Sequence, residues 1–272
     1  MALVVQTNVG SLSAQKNLST AQNQLAVSFN RLSSGFRINS SADDAAGLAI
    51  SDSMVMQIRS YTVAERNSGD GISMAQTADG ALGEVTNILG RLRELAVESS
   101  NGSLQDTDRS NLQTEFKQLT SEITRIQQTT KFNGQKLLSV TAASFSFQVG
   151  INNGTFDRLS LTFGGVSLTT LLAATVGKAT SAQTTIDLVD AGLGKIATIR
   201  SKFGAAMNRL EVTQSNIQTA RLNTAAANSR IRDVDVADET SKMARQQVLQ
   251  QAGTAILAQA NQAPSLALSL LR

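Results

Sequence analysis

The sequence predicts a mainly α protein: a long antiparallel helical bundle with coiled-coil-like packing, a small β-hairpin region, and N- and C-terminal helices paired in an inner domain. Three observations carry this. Apolar residues recur at alternating steps of three and four over most of the chain. One stretch, 145–170, changes period, with alternation by two at its apolar residues. The two ends resemble each other and differ from the middle: Met1 through Ala42 and Thr240 through Arg272 contain no carboxylate side chain, and all 21 acidic residues lie from Asp43 to Glu239. Two cationic helices cannot pair through mutual salt bridges, so the ends must associate through narrow apolar stripes and uncharged polar groups. That suits a chain whose termini assemble with copies of themselves.

Ala14, Leu18, Ala21, Leu25 and Leu32 form the first helical stripe, with Ser28 as its weak point. Gly35 is the expected turn residue after it, and Ser40 or Ser41 the expected cap of a second helix with Asp43 and Asp44 in its first turn. Leu82, Val85, Leu89, Leu92 and Ala96 mark a clear seam that stops at Asn101-Gly102. Leu112, Phe116, Leu119, Ile123 and Ile126 mark the next, from Asp106 to about Phe132-Asn-Gly. Phe145, Phe147 and Val149, then Leu159, Leu161 and Phe163, predict a hairpin with its loop at Asn152-Asn-Gly. Residues 164–184 read as a connector. The longest heptad run follows: Ile186, Val189, Leu193, Ile196, Phe203, Met207, Leu210 and Ile217, with Arg200, Gln214 and Arg221 as polar interruptions in the same register. A seam this long needs partner helices, and the stripes at 82–96 and 112–126 provide them. The last helix, about 234–261, has a thin stripe at Ala244, Val248, Ala252 and Ala255, marginal without a partner. The expected division is therefore 1–42 with 234–272 as an inner terminal domain, 43–140 with 186–233 as a bundle domain, and 141–185 as hairpin and connector.

Composition narrows the function. The chain has 41% apolar residues but only 4% aromatic, no Trp, no Cys, no His and a single proline, Pro264. No thiolate or imidazole is available as nucleophile, base or metal ligand, and no cofactor is expected. A net charge of +3, spread along the chain, is no nucleic-acid footprint. No stretch approaches the roughly 18 apolar residues of a membrane span, and the first residues lack the pattern of a secretory signal. Asp233, Asp235, Asp238 and Glu239 read as the acidic start of the last helix rather than a cation site. Gly192-Leu-Gly194-Lys195 lacks the flanking residues of a phosphate loop, because Val189 and Ile196 sit where Gly and Ser or Thr are needed.

Several long segments, in order, carry a family resemblance. They are Leu25 through Ser51 (Leu-Ala-Val-Ser-Phe-Asn-Arg-Leu-Ser-Ser-Gly-Phe-Arg-Ile-Asn onward), Arg91-Leu-Arg-Glu-Leu-Ala-Val97, Phe132-Asn-Gly-Gln-Lys-Leu-Leu138 and Phe147-Gln-Val-Gly150. Towards the other end come Ser229-Arg-Ile-Arg-Asp-Val-Asp235, Gln250 through Gln262, and Leu268-Ser-Leu-Leu-Arg272. In these the chain resembles bacterial flagellin across about 1–140 and 185–272, with only about 45 residues where many flagellins insert outer domains.

The resemblance implies a structural subunit, not an enzyme, that polymerises with itself into the extracellular flagellar filament for swimming. It implies unfolded export by the flagellar type III apparatus, an export chaperone, and contacts with filament cap and hook-associated proteins. A chain without disulfides and with one proline fits unfolded passage. Rival readings are a hook–filament junction protein and, from another class, a secreted effector using the same route. The resemblance also implies that Arg91, Leu95 and Glu115 engage a host Toll-like receptor. In that reading Leu95 lies off its seam as an exposed apolar anchor, with Arg91 one turn before it. Leu268, Leu270, Leu271 and Arg272 are the corresponding C-terminal candidates for assembly and inflammasome sensing. Arg200, Gln214 and Arg221 are candidates for switching between subunit packings.

Overall fold

The computed structural model describes residues 7–164 and 166–269, with side chains of the last helix through Gln262. The elements are α1 (Val9–Ser34), α2 (Ala45–Ser99), α3 (Asp106–Thr129), β1 (Lys131–Phe132), β2 (Gln135–Lys136), β3 (Ala143–Gln148), β4 (Arg158–Phe163), α4 (Thr169–Leu172), α5 (Ala179–Arg232) and α6 (Val236–Ser269). The chain separates into two compact units, residues 1–58 with 223–272, and 59–222. The predicted mainly helical class with a small hairpin region is what forms.

In the terminal unit α1 and α6 run antiparallel. Asn8 Nδ2 donates to the Ala260 carbonyl at 2.7 Å, Ser11 Oγ donates to Asn261 Oδ1 at 2.8 Å, and Arg31 lies 3.9 Å from Glu239 near the other end. Asn8 also caps α1, accepting from Ser11 N. Gly35 ends α1 with φ 75°, a left-handed geometry that glycine adopts without a Cβ clash, and its N–H reaches Arg31 O. The two breaks in the chain are joined: Arg37 N donates to Arg232 O at 2.7 Å, Val234 N donates to Gly35 O at 3.0 Å, and the Arg232 guanidinium lies 4.6 Å from the centre of the Phe36 ring. The cap of α2 is Asp44 rather than Ser40 or Ser41, because Asp44 Oδ1 accepts Gly47 N. Asp43 lies outside the first turn and instead accepts from Asn39 N, Ser40 N and Ser40 Oγ, which together close the preceding loop.

In the second unit α2 and α5 are antiparallel along their length, as three ion pairs show: Arg93–Asp190, Asp79–Arg200 and Glu65–Arg221. Leu82, Val85, Leu89 and Leu92 of α2, Phe116 and Ile123 of α3, and Ile196, Phe203, Leu210 and Ile217 of α5 are buried in one core. Leu112, Leu119, Leu193 and Met207 are half-buried against it. Such cores tolerate little truncation, because each lost side chain removes transfer energy and leaves a cavity.

The hairpin pairs β3 with β4, Phe145 opposite Leu161 and Phe147 opposite Leu159. It packs on the helices through Phe163, whose ring is 5.1 Å from Phe203 and 5.6 Å from Phe145. Gly71 on α2 permits the close approach, since a Cβ there would lie 3.0 Å from Leu210 and 3.3 Å from Phe147.

The connector is not a loose link. Val166, Leu168, Leu171 and Val176 are buried in the same core, Leu171 being the residue of α4 that enters it. Polar side chains from the helices hold its backbone: Gln127 Nε2 donates to Val166 O, Gln113 Oε1 accepts Val176 N, and Ser99 Oγ donates to Val176 O. Gly192 and Gly194 are interior positions of α5, with Lys195 Nζ reaching Ser167 O.

Candidate assembly and recognition surfaces

The face that α6 turns to α1 is unusual in composition. Glu239, Met243, Gln246, Gln250, Gly253, Leu257 and Ala260 alternate by four and three and are its buried or half-buried positions. Opposite them stand Ser11, Ala14, Leu18, Ala21, Leu25 and Ser28 of α1, with Leu18 Cδ1 3.3 Å from where a Cβ on Gly253 would be. The stripe expected for α6, Ala244, Val248, Ala252 and Ala255, points outward and is exposed. This is a correction with a physical cause: the α1–α6 contact runs along the row that contains Met243, Gly253 and Leu257, where the bare Gly253 lets Leu18 approach, and the row that contains Val248 is left on the outside. Val9, Leu12, Val27 and Phe29 of α1 and Val248, Leu249 and Ile256 of α6 are all exposed, Phe29 to 64%. Monomeric surfaces rarely gather so many large apolar groups on one pair of helices without a partner.

The acidic run before α6 is a helix start. Asp235 Oδ1 accepts Ala237 N and Asp238 N, and Lys242 bridges Asp238 at 2.6 Å and the buried Glu239 at 3.7 Å. Asp238 holds the Lys242 ammonium more strongly protonated than usual.

On the second unit, Arg91 Nε donates to Glu115 Oε1 at 2.9 Å and Arg91 Nη1 to Glu94 Oε2 at 2.8 Å. The Glu115 bond is the larger cause of an upward shift in the Arg91 pKa, Glu94 the next. The Arg91 and Glu115 side chains are about half exposed, and that of Glu94 more so. Leu95 is fully buried, so the expected exposed anchor is corrected. In this stretch α2 buries Leu92, Leu95, Ala96 and Ser99, a stripe wider than two heptad positions, because α3 and the connector cover it as well as α5. Arg200 and Arg221 reach sideways to α2 carboxylates. Arg221 Nη1 and Gln218 Nε2 share Glu65 at 2.8 and 2.7 Å, and Gln214 is half-buried. The backbone of Leu268 lies within α6, but its side chain, with Leu270, Leu271 and Arg272, falls outside the described residues.

Arg109 is a residue that pattern reading passed over. Its buried guanidinium donates to Ser99 O at 3.0 Å and Asn101 O at 2.9 Å and contacts Asp106 at 3.3 Å, so it satisfies carbonyls at the end of α2 where the dipole is negative. The local signal was an arginine three residues after Asp106, in the first turn of a helix that follows a turn.

Residues 5–143 match the bacterial flagellin N-terminal helical region, and residues 186–271 match the bacterial flagellin C-terminal helical region. The chain belongs to the bacterial flagellin family. It is 47% identical to a flagellin of Halalkalibacterium halodurans, over 99% of this chain and all of that one. It is 39% identical to the flagellar filament core protein flaB2 of Brachyspira hyodysenteriae, over 99% of this chain and all of the relative. The crystal structure of Bacillus cereus flagellin superposes with a TM-score of 0.52 at 34% identity, covering 60% of this chain and 94% of that one. Flagellin C of Vibrio cholerae aligns over 379 positions at 34% identity, so this 272-residue chain is a short form. As a flagellin it is a structural subunit of the extracellular flagellar filament and polymerises with itself; it is not an enzyme.

Proposed function

We propose that the paired ends of the chain, 1–42 with 234–272, are the polymerising element and form the inner domain of the filament. The observation that supports this is the outward apolar face of α1 and α6, beginning with Phe29 and Ile256. In a stack of identical chains that face becomes covered, and burial of each large side chain is worth roughly 1.5–3 kcal/mol before the costs of ordering. Residues 43–140 with 186–233 then form the bundle domain, and 141–185 stands in the place of the outer domains of longer flagellins.

On this reading the chain travels unfolded through the flagellar type III apparatus, held first by an export chaperone, and meets the filament cap and hook-associated proteins at its destination. Freedom from cysteine and a single proline support that route. Host recognition, where it occurs, falls on the exposed Arg91, Glu94 and Glu115 ridge with Leu95 bracing it from beneath, and on Leu268, Leu270, Leu271 and Arg272 for cytosolic sensing.

The deciding experiment is seeded growth. Filament fragments elongate in electron micrographs when supplied with the parent chain, and not with Phe29→Asp or Ile256→Asp, while the urea melt of the 59–222 unit is unchanged. Normal elongation by both variants would falsify the proposal.

A further inference from the structure

Phe156 is 99% exposed, although the loop that carries it is firmly built. Val149 N and Gly150 N both donate to Asp157 O, at 2.8 and 2.9 Å, and Gly154 N donates to the Asp157 carboxylate at 3.2 Å. Gln148 Nε2 ties Gly150 O and Asn152 O at 3.0 and 2.8 Å. A benzyl group held rigidly in water carries no folding benefit, and aromatic side chains on ordered supports are the usual anchors of interfaces.

The same hairpin end has a recess on its other flank. Arg59, Val63, Ala64 and Asn67 of α2, with Gly150 and Ile151 of the loop, line a groove of about 350 Å³. Asn67 Nδ2 fixes one wall by donating to Gln148 O at 2.9 Å. An apolar cavity of about 150 Å³ is enough to hold a benzene ring. Val63, Ala64 and Ile151 supply its apolar surface, Ser60 and Gln148 also line it, and Arg59, which forms no salt bridge among the described residues, brings a cation able to meet an aromatic face. Phe156 belongs to the opposite flank, beside Asn208, Arg209 and Val212 of α5.

A knob and a hole on two different sides of one chain cannot satisfy each other within that chain, and between copies they make a head-to-tail contact that propagates as an open helix. We infer that Phe156 of one subunit seats in the Val63–Ile151 groove of a neighbouring copy, as a lateral contact of the filament. The inference rests on self-assembly through the terminal helices and adds a second contact to it.

The native chain has no cysteine, so directed cross-linking has no background. Phe156→Cys and Val63→Cys chains, each mixed into an excess of parent chain and polymerised together, are expected to give disulfide dimers on oxidation of the filaments but not of the monomers, since the bond requires Cβ atoms about 3.5–4.5 Å apart. Either cysteine variant alone gives none. Phe156→Ala is expected to raise the critical concentration for seeded growth roughly tenfold with an unchanged thermal melt, and Phe156→Trp to restore most of it. A critical concentration within about twofold of the parent for Phe156→Ala, or filaments of the mixed cysteine chains without dimers, overturns the contact and leaves assembly through α1 and α6 standing. Failure of the parent chain to elongate seeds overturns both.

Discussion

Arg200 grips Asp79 with two nitrogens, Nε to Oδ1 at 2.8 Å and Nη2 to Oδ2 at 3.2 Å, a fork-on-fork pair that joins α5 to α2 across 121 residues of sequence. It occupies a heptad position where an aliphatic side chain would be expected, and it stays at the edge of the seam. Exposed pairs of this kind contribute at most about 1 kcal/mol. Their value is directional, because one carboxylate specifies one register. Replacing Arg221 or Gln214 by Leu is therefore expected to alter stability little and to hold filaments in one waveform, read by dark-field imaging of swimming cells. Unaltered waveforms and reversals would show that these side chains serve only as local contacts.

Leu95 and Arg91 should separate stability from recognition. Leu95→Ala is expected to lower stability by roughly 2–5 kcal/mol in urea melts, whereas Arg91→Ala should leave it within about 1 kcal/mol. In a receptor reporter assay on monomeric protein, loss of signal in Arg91→Ala with an intact melt assigns a direct contact. A full signal from Arg91→Ala removes the ridge as a recognition surface.

Leu92 and Leu210 are fully buried in the core. Truncation of either to Ala is expected to cost roughly 2–5 kcal/mol, measured as a shift of the denaturant midpoint without a large change in slope. A midpoint that does not move would show that the α2–α5 seam is not the stabilising contact.

Acid should loosen the chain stepwise. Hydrogen bonds from Ser40 and Asn39 hold the Asp43 carboxyl below its usual range, Arg93 does the same for Asp190, and Arg125 for Glu122. Depressed folded values mean that each contribution is fully present above the ordinary carboxylate pKa of about 4 and disappears as pH falls through the folded value. The melting temperature should be level from neutral pH to about 5 and decline below about 4, with Asp43→Asn removing part of the decline. A decline of unchanged steepness in Asp43→Asn would mean that this carboxylate is not linked to folding.

The terminal seam is built largely from Ser, Ala, Gly and Gln positions, so α1 and α6 have little to hold them in a lone chain. Their amides are expected to exchange with solvent rapidly in dilute monomer and slowly in filaments. Equal protection in both states would show that the pair is stable by itself.

Much of the second unit was legible because its helices obey a simple rule. Leu82 through Leu92, and Val189 through Ile217, bury a three-four stripe, and the alternation at Phe145–Phe163 announces the hairpin. The same rule failed where a helix has more than one partner or where its partner is absent. Leu95 is buried because α2 is covered on several sides. On α6 the apolar period marks the outside, and Gln246 and Gln250 face α1. Residues 164–184 read only as a connector, yet their backbone is satisfied by Gln113, Gln127 and Ser99 from distant positions, a pairing with no local signature. The Arg91–Glu115 ridge was legible only as a motif. Its cis pairing of Arg91 with Glu115 depended on how α3 folds back.

The antiparallel pairing of α2 with α5 also sets a timetable. Its ion pairs join residues 97, 121 and 156 positions apart, so no part of the α2 seam on that side can close until most of the chain has emerged. Contacts of such long sequence separation form slowly, since each requires a large loop to close first. A chain made N-terminus first thus carries the α5-facing side of α2 uncovered until α5 follows it, which leaves an interval in which a carrier can take hold of that side before the bundle shuts.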